Sequence, residues 1–427
     1  MKGRRKRARN PWVWVPSLYV AEGIPYIMAV TVSVVLYKRL GISNTDIALY
    51  TSWLYLPWVI KPFWSPFVDL FRTKRYWILL MQLLIGASLA CIAFTVPAAR
   101  FFQYTLAFFW LMAFSSATHD IAADGFYMLG LSEDHQAAFV GVRTTFYRIA
   151  TIGTKGGLVI FAGYLEGNGH DIPAAWSITL FLAAGVFCAL FLYHLLALPH
   201  PVTDRPAERT PSVSLSSQFF NIFVLFFRKK GILTILAFFL FYRLAETQLL
   251  KIIVPFLLDP PAKGGLGLTT SKVGIIYGTV GVISLMLGGL LGGYAIYKKG
   301  LKFWIWIMVC AVHLPDLVYV YLSQILPDNF YLISLCVALE QFGYGFGYTA
   351  YTMFMIMVSE GEHKTVHFAI STGIMALGMM LPAMASGWLQ EQLGYPSYFL
   401  WVMAATIPGF IVTGLVKIDP EFGKKKR

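Results

Sequence analysis

Apolar stretches long enough to cross a bilayer recur along the whole chain, and nothing else limits its possible folds so sharply. About twenty apolar residues span the hydrocarbon core as a helix. By that measure, segments 12–37, 46–68, 76–97, 104–131, 136–164 and 174–198 each predict a crossing. So do 231–258, 271–297, 302–325, 330–358, 365–390 and 396–417. In lipid each crossing must satisfy its own backbone hydrogen bonds, which leaves an all-α integral membrane architecture of about twelve transmembrane helices. Composition agrees: 13% of the 427 residues are charged, against about 25% in soluble domains.

The crossings fall six and six about a polar stretch, Pro199 to Gln218. The expected division is an N-terminal six-helix bundle (1–198), a cytoplasmic linker with an interfacial segment (199–230) and a C-terminal six-helix bundle (231–427). Phe219 to Phe227 reads as the interfacial segment, anchored by Arg228, Lys229 and Lys230. The basic start (Lys2, Arg4, Arg5, Lys6, Arg7, Arg9) followed by apolar sequence has the shape of a signal peptide. Its apolar part runs on to Tyr37 with no small-residue cleavage site, so it is expected to stay as the first helix.

The formal net charge is +13, gathered at the two ends, in Arg72-Thr73-Lys74-Arg75 and in Lys298-Lys299-Gly300-Leu301-Lys302. All of these fall on one side of the predicted membrane, which places both termini and the linker in the cytoplasm. Charge confined to ends and loops argues against a nucleic-acid partner. Cys91, Cys188, Cys310 and Cys336 lie in apolar stretches without CxxC spacing, so no disulfide, metal or cofactor is expected. No nucleophile elbow, HExxH or catalytic histidine pair is present, and no enzyme activity is expected. The chain reads as a monomer in the bilayer.

An internal repeat supports the two halves. The loop Asp69-Leu70-Phe71-Arg72-Thr73-Lys74-Arg75 follows the second crossing, and a loop with Lys298, Lys299 and Lys302 follows the eighth. Asp69, Arg72, Lys74, Arg75, Lys298 and Lys299 are read as a motif that governs conformational change. Two six-helix halves related about the membrane normal resemble the major facilitator fold, and the two loops resemble a degenerate form of that superfamily's short motif.

Charges inside the crossings carry the functional signal, because each costs at least about 2.5–3.5 kcal/mol at the bilayer centre. Asp120 and Asp124 are four residues apart and share a helix face. Arg148 and Lys155 share another. Arg243 and Glu246, three apart, are placed to pair. A short turn joins the fourth and fifth crossings, so Asp124 can meet Arg143 or Arg148. Carboxylates in a dry cavity exchange protons near neutral pH, and Asp120, Asp124, Glu246, Glu340 and Glu22 are the candidate proton sites. Buried ion pairs that fix packing are the competing reading.

Cations exceed what proton transport needs, and Arg and Lys suit carboxylate or phosphate ligands. Lys61, His119, Arg143, Arg148, Lys155 and Arg243 are therefore candidate contacts for a small anionic substrate, with Tyr344 and Tyr348 (and Tyr351 beyond them) placed to stack on a ring. Lys251 is read as snorkelling to headgroups. His313 and Asp316, beside Pro315, are read as structural. The run Gly343-Tyr344-Gly345-Phe346-Gly347-Tyr348 allows close helix packing.

Glu22-Gly23-Ile24-Pro25, Lys61-Pro62-Phe63-Trp64-Ser65-Pro66-Phe67-Val68-Asp69, His119-Asp120-Ile121-Ala122-Ala123-Asp124-Gly125-Phe126-Tyr127 and Phe241-Tyr242-Arg243-Leu244-Ala245-Glu246 together resemble the AmpG-type permeases. So does Glu340 ahead of its glycine-rich run. This branch of the major facilitator superfamily covers peptidoglycan-fragment, acetyl-CoA and some siderophore transporters. The resemblance implies proton-driven import of anhydro-muropeptides across the bacterial inner membrane, for cell-wall recycling. The chain departs from the pattern in lacking two extra helices, in Gly125-Phe126-Tyr127 where Asp-Ala-Tyr is usual, and in Arg243 and Glu246 for Lys and Asp. An iron-siderophore, acetyl-CoA or a drug stands as the alternative cargo, and a membrane enzyme or signalling protein as the remote one.

Overall fold

The structure, a computed structural model, describes residues 10–206, 223–361 and 364–425. The basic start Lys2 to Arg9, linker residues 207–222 (with Phe219) and the side chain of Asp69 lie outside the described residues.

Among the described residues, twelve long helical rods follow one another, with short connections within each set of six. They are α1 (Pro11–Arg39), α2 (44–70), α3 (Lys74–Thr95), α4 (Phe101–Gly130), α5 (133–167) and α6 (Ile172–Ala197). Then come α7 (Ile232–Leu258), α8 (Thr270–Lys299), α9 (Leu301–Ile325), α10 (Phe330–Ser359), α11 (364–393) and α12 (395–415). Gly394, at φ 70 and ψ 165, turns the chain between the last two. Among the described residues, seven helical segments are long and apolar enough by themselves to cross a membrane. The stretches 44–70, 101–130, 133–167 and 330–359 are not among them, because their charged, glycine and tyrosine residues dilute the apolar run.

Several rods carry local departures that aim side chains. Wider π turns occupy Met28–Val32 in α1, Ile152–Leu158 in α5 and Gly274–Val280 in α8. Rod α7 breaks at Tyr242–Arg243, where Arg243 has φ −114 and ψ 16.

The two sets of six rods meet through glycines. A Cβ on Gly278 of α8 would stand 2.2 Å from the Lys155 carbonyl of α5, and one on Gly387 of α11 would stand 1.9 Å from the Asn44 carbonyl of α2. Only glycine permits backbone contact this close. In α10, Gly343 and Gly347 sit against α9, and Gly345 sits against α8 at Leu285. The glycine-rich run thus serves close packing on two faces.

One apolar cluster crosses between the sets at the end where α1 finishes, joining Tyr37, Ile47 and Trp176 to Ile253, Leu257 and Tyr395. The other two clusters each stay within one set. Polar contacts follow the same division. Lys38 pairs with Asp259 at 2.7 Å, Asp259 also accepts from the Tyr395 hydroxyl at 2.6 Å, and Asn44 donates to Gln390 at 2.6 Å. Glu166 is held by Arg39 at 3.0 Å and by the Thr270 hydroxyl at 2.7 Å. The molecule is therefore closed between its halves at the end away from the chain termini.

Candidate functional site

Three charged places lie inside the helical body. In the N-terminal set, carboxylate oxygens of Glu22 (α1), Asp120 and Asp124 (α4) lie within 4.8 Å of one another. The four-residue spacing puts both aspartates on one face of α4. Gly23 lets α1 approach α5, since a Cβ there would stand 3.0 Å from Ala150. Asp120 pairs with Lys61 of α2, and Asp124 pairs with Arg143 of α5 at 2.7 Å. Tyr19 donates to Asp124 at 3.1 Å, and the Arg143 guanidinium stacks between the rings of Tyr19 (4.5 Å) and Tyr127 (5.2 Å). The trio opens on a cavity of about 290 Å³ that Tyr26 and Trp58 also line. Its paired side chains keep 18–37% of their surface.

A second cavity, of about 150 Å³, lies between the halves. Arg148, Lys155 and Lys251 line it with Tyr26, Tyr55 and Gln341. The Lys155 ammonium stands 3.2 Å from the centre of the Tyr277 ring, and Lys251 donates to Thr51 at 2.9 Å. None of these three cations belongs to the ion pairs formed among the described residues. Tyr26 lines both cavities, so it is the partition between the carboxylate trio and the cationic chamber.

The third place is a carboxylate trio in the C-terminal set: Glu246 (α7), Asp316 (α9) and Glu340 (α10), again with oxygens within 4.8 Å. Their exposures are 0%, 1% and 0%. Glu340 accepts from the Gln341 amide at 3.0 Å and the Tyr319 hydroxyl at 3.2 Å. Both oxygens of Glu246 and both of Asp316 are buried with no hydrogen-bond partner among the described residues.

Several expectations need correction. His119 faces neither cavity. Adjacent residues on a helix point about 100° apart, so with Asp120 turned inward His119 points between α3 and α6. There it contacts Gln82 at 3.0 Å, Gln82 contacts His194, and His194 contacts Ser17 at 2.9 Å. Lys251 does not snorkel: it is 6% exposed, because segment Leu244–Leu258 is enclosed on nearly every side and offers no lipid face. Arg243 does not pair with Glu246. The break in α7 removes the helical register that three-residue pairing requires. Arg243 instead donates to Tyr344 at 2.5 Å and lies over Tyr348 at 4.8 Å and Tyr351 at 5.9 Å. These tyrosines cage an arginine, and Tyr344 alone of the three reaches the central cavity. Asp316 joins a charged cluster, a placement no spacing within one helix could reveal.

The two basic loops bind different partners. Asp204, just after α6, caps α3 by accepting from the backbone of Lys74 at 2.7 Å and of Arg75 at 3.0 Å. The Arg75 guanidinium donates to the Leu195 carbonyl at 2.6 Å, and Arg72 (φ 67) lies over Tyr76. Lys298 and Lys299 lie over Tyr294 and Phe303, while the following Leu301 is tied by its backbone to Phe422 of the C-terminal tail at 3.0 Å. The cross-half contacts of Lys38, Asn44, Asp259 and Tyr395 had no signal in the sequence beyond their place in turns and at rod ends.

A family model described as Major Facilitator Superfamily matches residues 18–356. The anhydromuropeptide permease of Escherichia coli strain K12 is 24% identical over 399 residues, which cover 92% of this chain and 77% of that protein. A mutant of the nucleoside transporter NupG superposes with a TM-score of 0.72 at 16% identity, over 96% of this chain and 100% of that one. A bacterial homologue of the human lysosomal transporter Spinster, inward-facing and unoccupied, superposes with a TM-score of 0.68 at 14% identity, over 96% of each chain.

Proposed function

The chain belongs to the major facilitator superfamily, and from that premise we propose that this multi-pass secondary transporter imports anionic peptidoglycan fragments, anhydro-muropeptides, coupled to protons. The observation that carries the reading is the central chamber, where Arg148, Lys155 and Lys251 face the seam between the halves with no carboxylate among the described residues paired to any of them. A chamber lined by three cations outside any ion pair favours an anionic cargo. The E. coli relative supplies the cargo class.

The N-terminal trio is the proton site in this reading. Three carboxylates this close cannot all carry charge at little cost, so the trio is suited to hold and release a proton. Protonation of Asp120 removes the partner of Lys61, and protonation of Asp124 removes the partner of Arg143. The freed cations then add to the field at the partition, Tyr26, beyond which the cargo binds. The closed seam of Lys38, Asp259, Tyr395 and Asn44 is the outer gate, with the termini and the 199–230 linker on the cytoplasmic side of the bacterial inner membrane. The two six-helix bundles, 1–198 and 231–427, rock about their glycine contacts, and one chain suffices for transport. The basic loops carrying Arg72, Lys74, Arg75, Lys298 and Lys299 brace the cytoplasmic ends of the rods during that motion.

The test is uptake of labelled anhydro-muropeptide by proteoliposomes, with and without an inward proton gradient. Accumulation that follows the gradient supports both cargo and coupling. A folded protein that takes up none overturns the cargo and leaves the fold class standing.

A further inference from the structure

The two carboxylate trios occupy matching places in the two halves. Glu22 comes from the first rod of its half and Glu246 from the first of the other; Asp120 and Asp124 come from the fourth rod, and so does Glu340. Asp316, from the third rod, has no counterpart in the first trio, and the surroundings differ as well. The first trio meets Lys61 and Arg143 and keeps part of its surface. The second has no cation at ion-pair distance among the described residues and is sealed. Independently of the clustering, the four carboxylate oxygens of Glu246 and Asp316 are buried with no hydrogen-bond partner among the described residues, and one oxygen of each lies in the cluster. Buried charged groups are paired or bind an ion.

We propose that Glu246, Asp316 and Glu340 form a site for a dehydrated hard cation of sodium's or calcium's size. Oxygen atoms up to 4.8 Å apart are the spacing of ligands on opposite sides of an ion bound at about 2.3–2.6 Å. All-carboxylate oxygen donors select a hard cation. Magnesium binds at about 2.0–2.1 Å and keeps several waters, which a site this buried does not offer. Tyr319 and Gln341 fix the Glu340 carboxylate and leave the other two to close on the ion. The entry route is the central chamber, which Gln341 lines beside Glu340 and Thr247 lines beside Glu246. Lys155 lines the same chamber, so the ion and an anionic cargo would sit on either side of one ammonium group. The site requires neither the muropeptide assignment nor the proton role of the other trio.

The test uses the full-length protein in detergent, equilibrated with ²²Na⁺ or ⁴⁵Ca²⁺ in a buffer of potassium and magnesium salts. One of the two isotopes is expected to bind at one ion per chain, and which one identifies the ion. Glu246→Gln and Asp316→Asn are each expected to weaken that binding at least tenfold, whereas Asp124→Asn leaves it intact. In the wild-type protein, the same ion is expected to protect Glu246 or Asp316 from a hydrophobic carbodiimide, read by mass spectrometry, which covers the case in which the variants fail to fold. Folded wild-type protein that binds neither isotope overturns the proposal, as does carbodiimide labelling that neither ion changes; the trio is then neutralised by protons alone.

Discussion

Each half of this transporter holds three carboxylates inside the bilayer, yet the two trios stand in opposite surroundings. Around Glu22, Asp120 and Asp124 are two cations and a cavity of about 290 Å³. Around Glu246, Asp316 and Glu340, at most 1% exposed, are an amide and a phenol, with Lys155 and Arg243 nearby but outside ion-pair distance. Residue type is the same, so the surroundings must set the role. A trio paired with cations and open to a cavity is suited to proton exchange. A buried trio with no cation at ion-pair distance among the described residues is suited to a tightly held ion.

The variant with the largest expected effect tests the open trio. Asp124→Asn should abolish gradient-driven accumulation, a loss of at least tenfold, while cargo exchange at equal pH on both sides persists; unchanged accumulation would reduce the trio to an element of packing. In the chamber next to it, Arg148→Gln or Lys251→Met should raise KM for the anionic cargo about tenfold, a loss of about 1.4 kcal/mol, with the response to the proton gradient preserved. Equal affinity in both variants would remove the anion site.

Stability separates the trios further. Removing Lys61 alone should destabilise more than replacing Lys61 and Asp120 together, with a coupling of about 1 kcal/mol in a double-mutant cycle after allowance for partial exposure. Glu246→Gln should instead raise the melting temperature in sodium- and calcium-free buffer by about 3 °C, because it removes a charge that has no partner. A melting temperature that falls would place a hidden cation partner at the sealed trio. The smallest effect concerns the outer seam. Gly387→Ala should increase labelling of Thr45→Cys by an impermeant thiol reagent about threefold, since a methyl group 1.9 Å from the Asn44 carbonyl cannot fit the closed arrangement.

The fold class was legible because twelve apolar runs and two basic loops are local features. So was the meeting of Asp120 with Asp124, set by helical spacing, and of Asp124 with Arg143, set by a short turn. The sealed trio was not legible, because it joins residues 246, 316 and 340 from three rods and no spacing along the chain records that. His119 was misread because its neighbour in sequence, not its own chemistry, faces the cavity. Arg243 was misread because a break of two residues in α7 undid an assumption of helical continuity. Lys251 was misread because its burial depends on the rods around it, which a reading of one helix at a time leaves out.

The contact of Gly278 with the backbone of Lys155 and Gly156, where a Cβ on Gly278 would stand 2.2 Å from the Lys155 carbonyl and 2.6 Å from the Gly156 Cα, has a mechanical meaning. With no side chain between the strands of backbone, it can act as a fulcrum on which one half turns against the other without repacking. From there α5 extends to Glu133, a lever of about 35 Å at 1.5 Å per residue, so a tilt of about 10° would sweep its far end through about 6 Å. A small rotation at a point of contact is thereby geared into an opening the width of an aromatic ring, and a bulkier residue at either glycine would move the axle as well as the wheel.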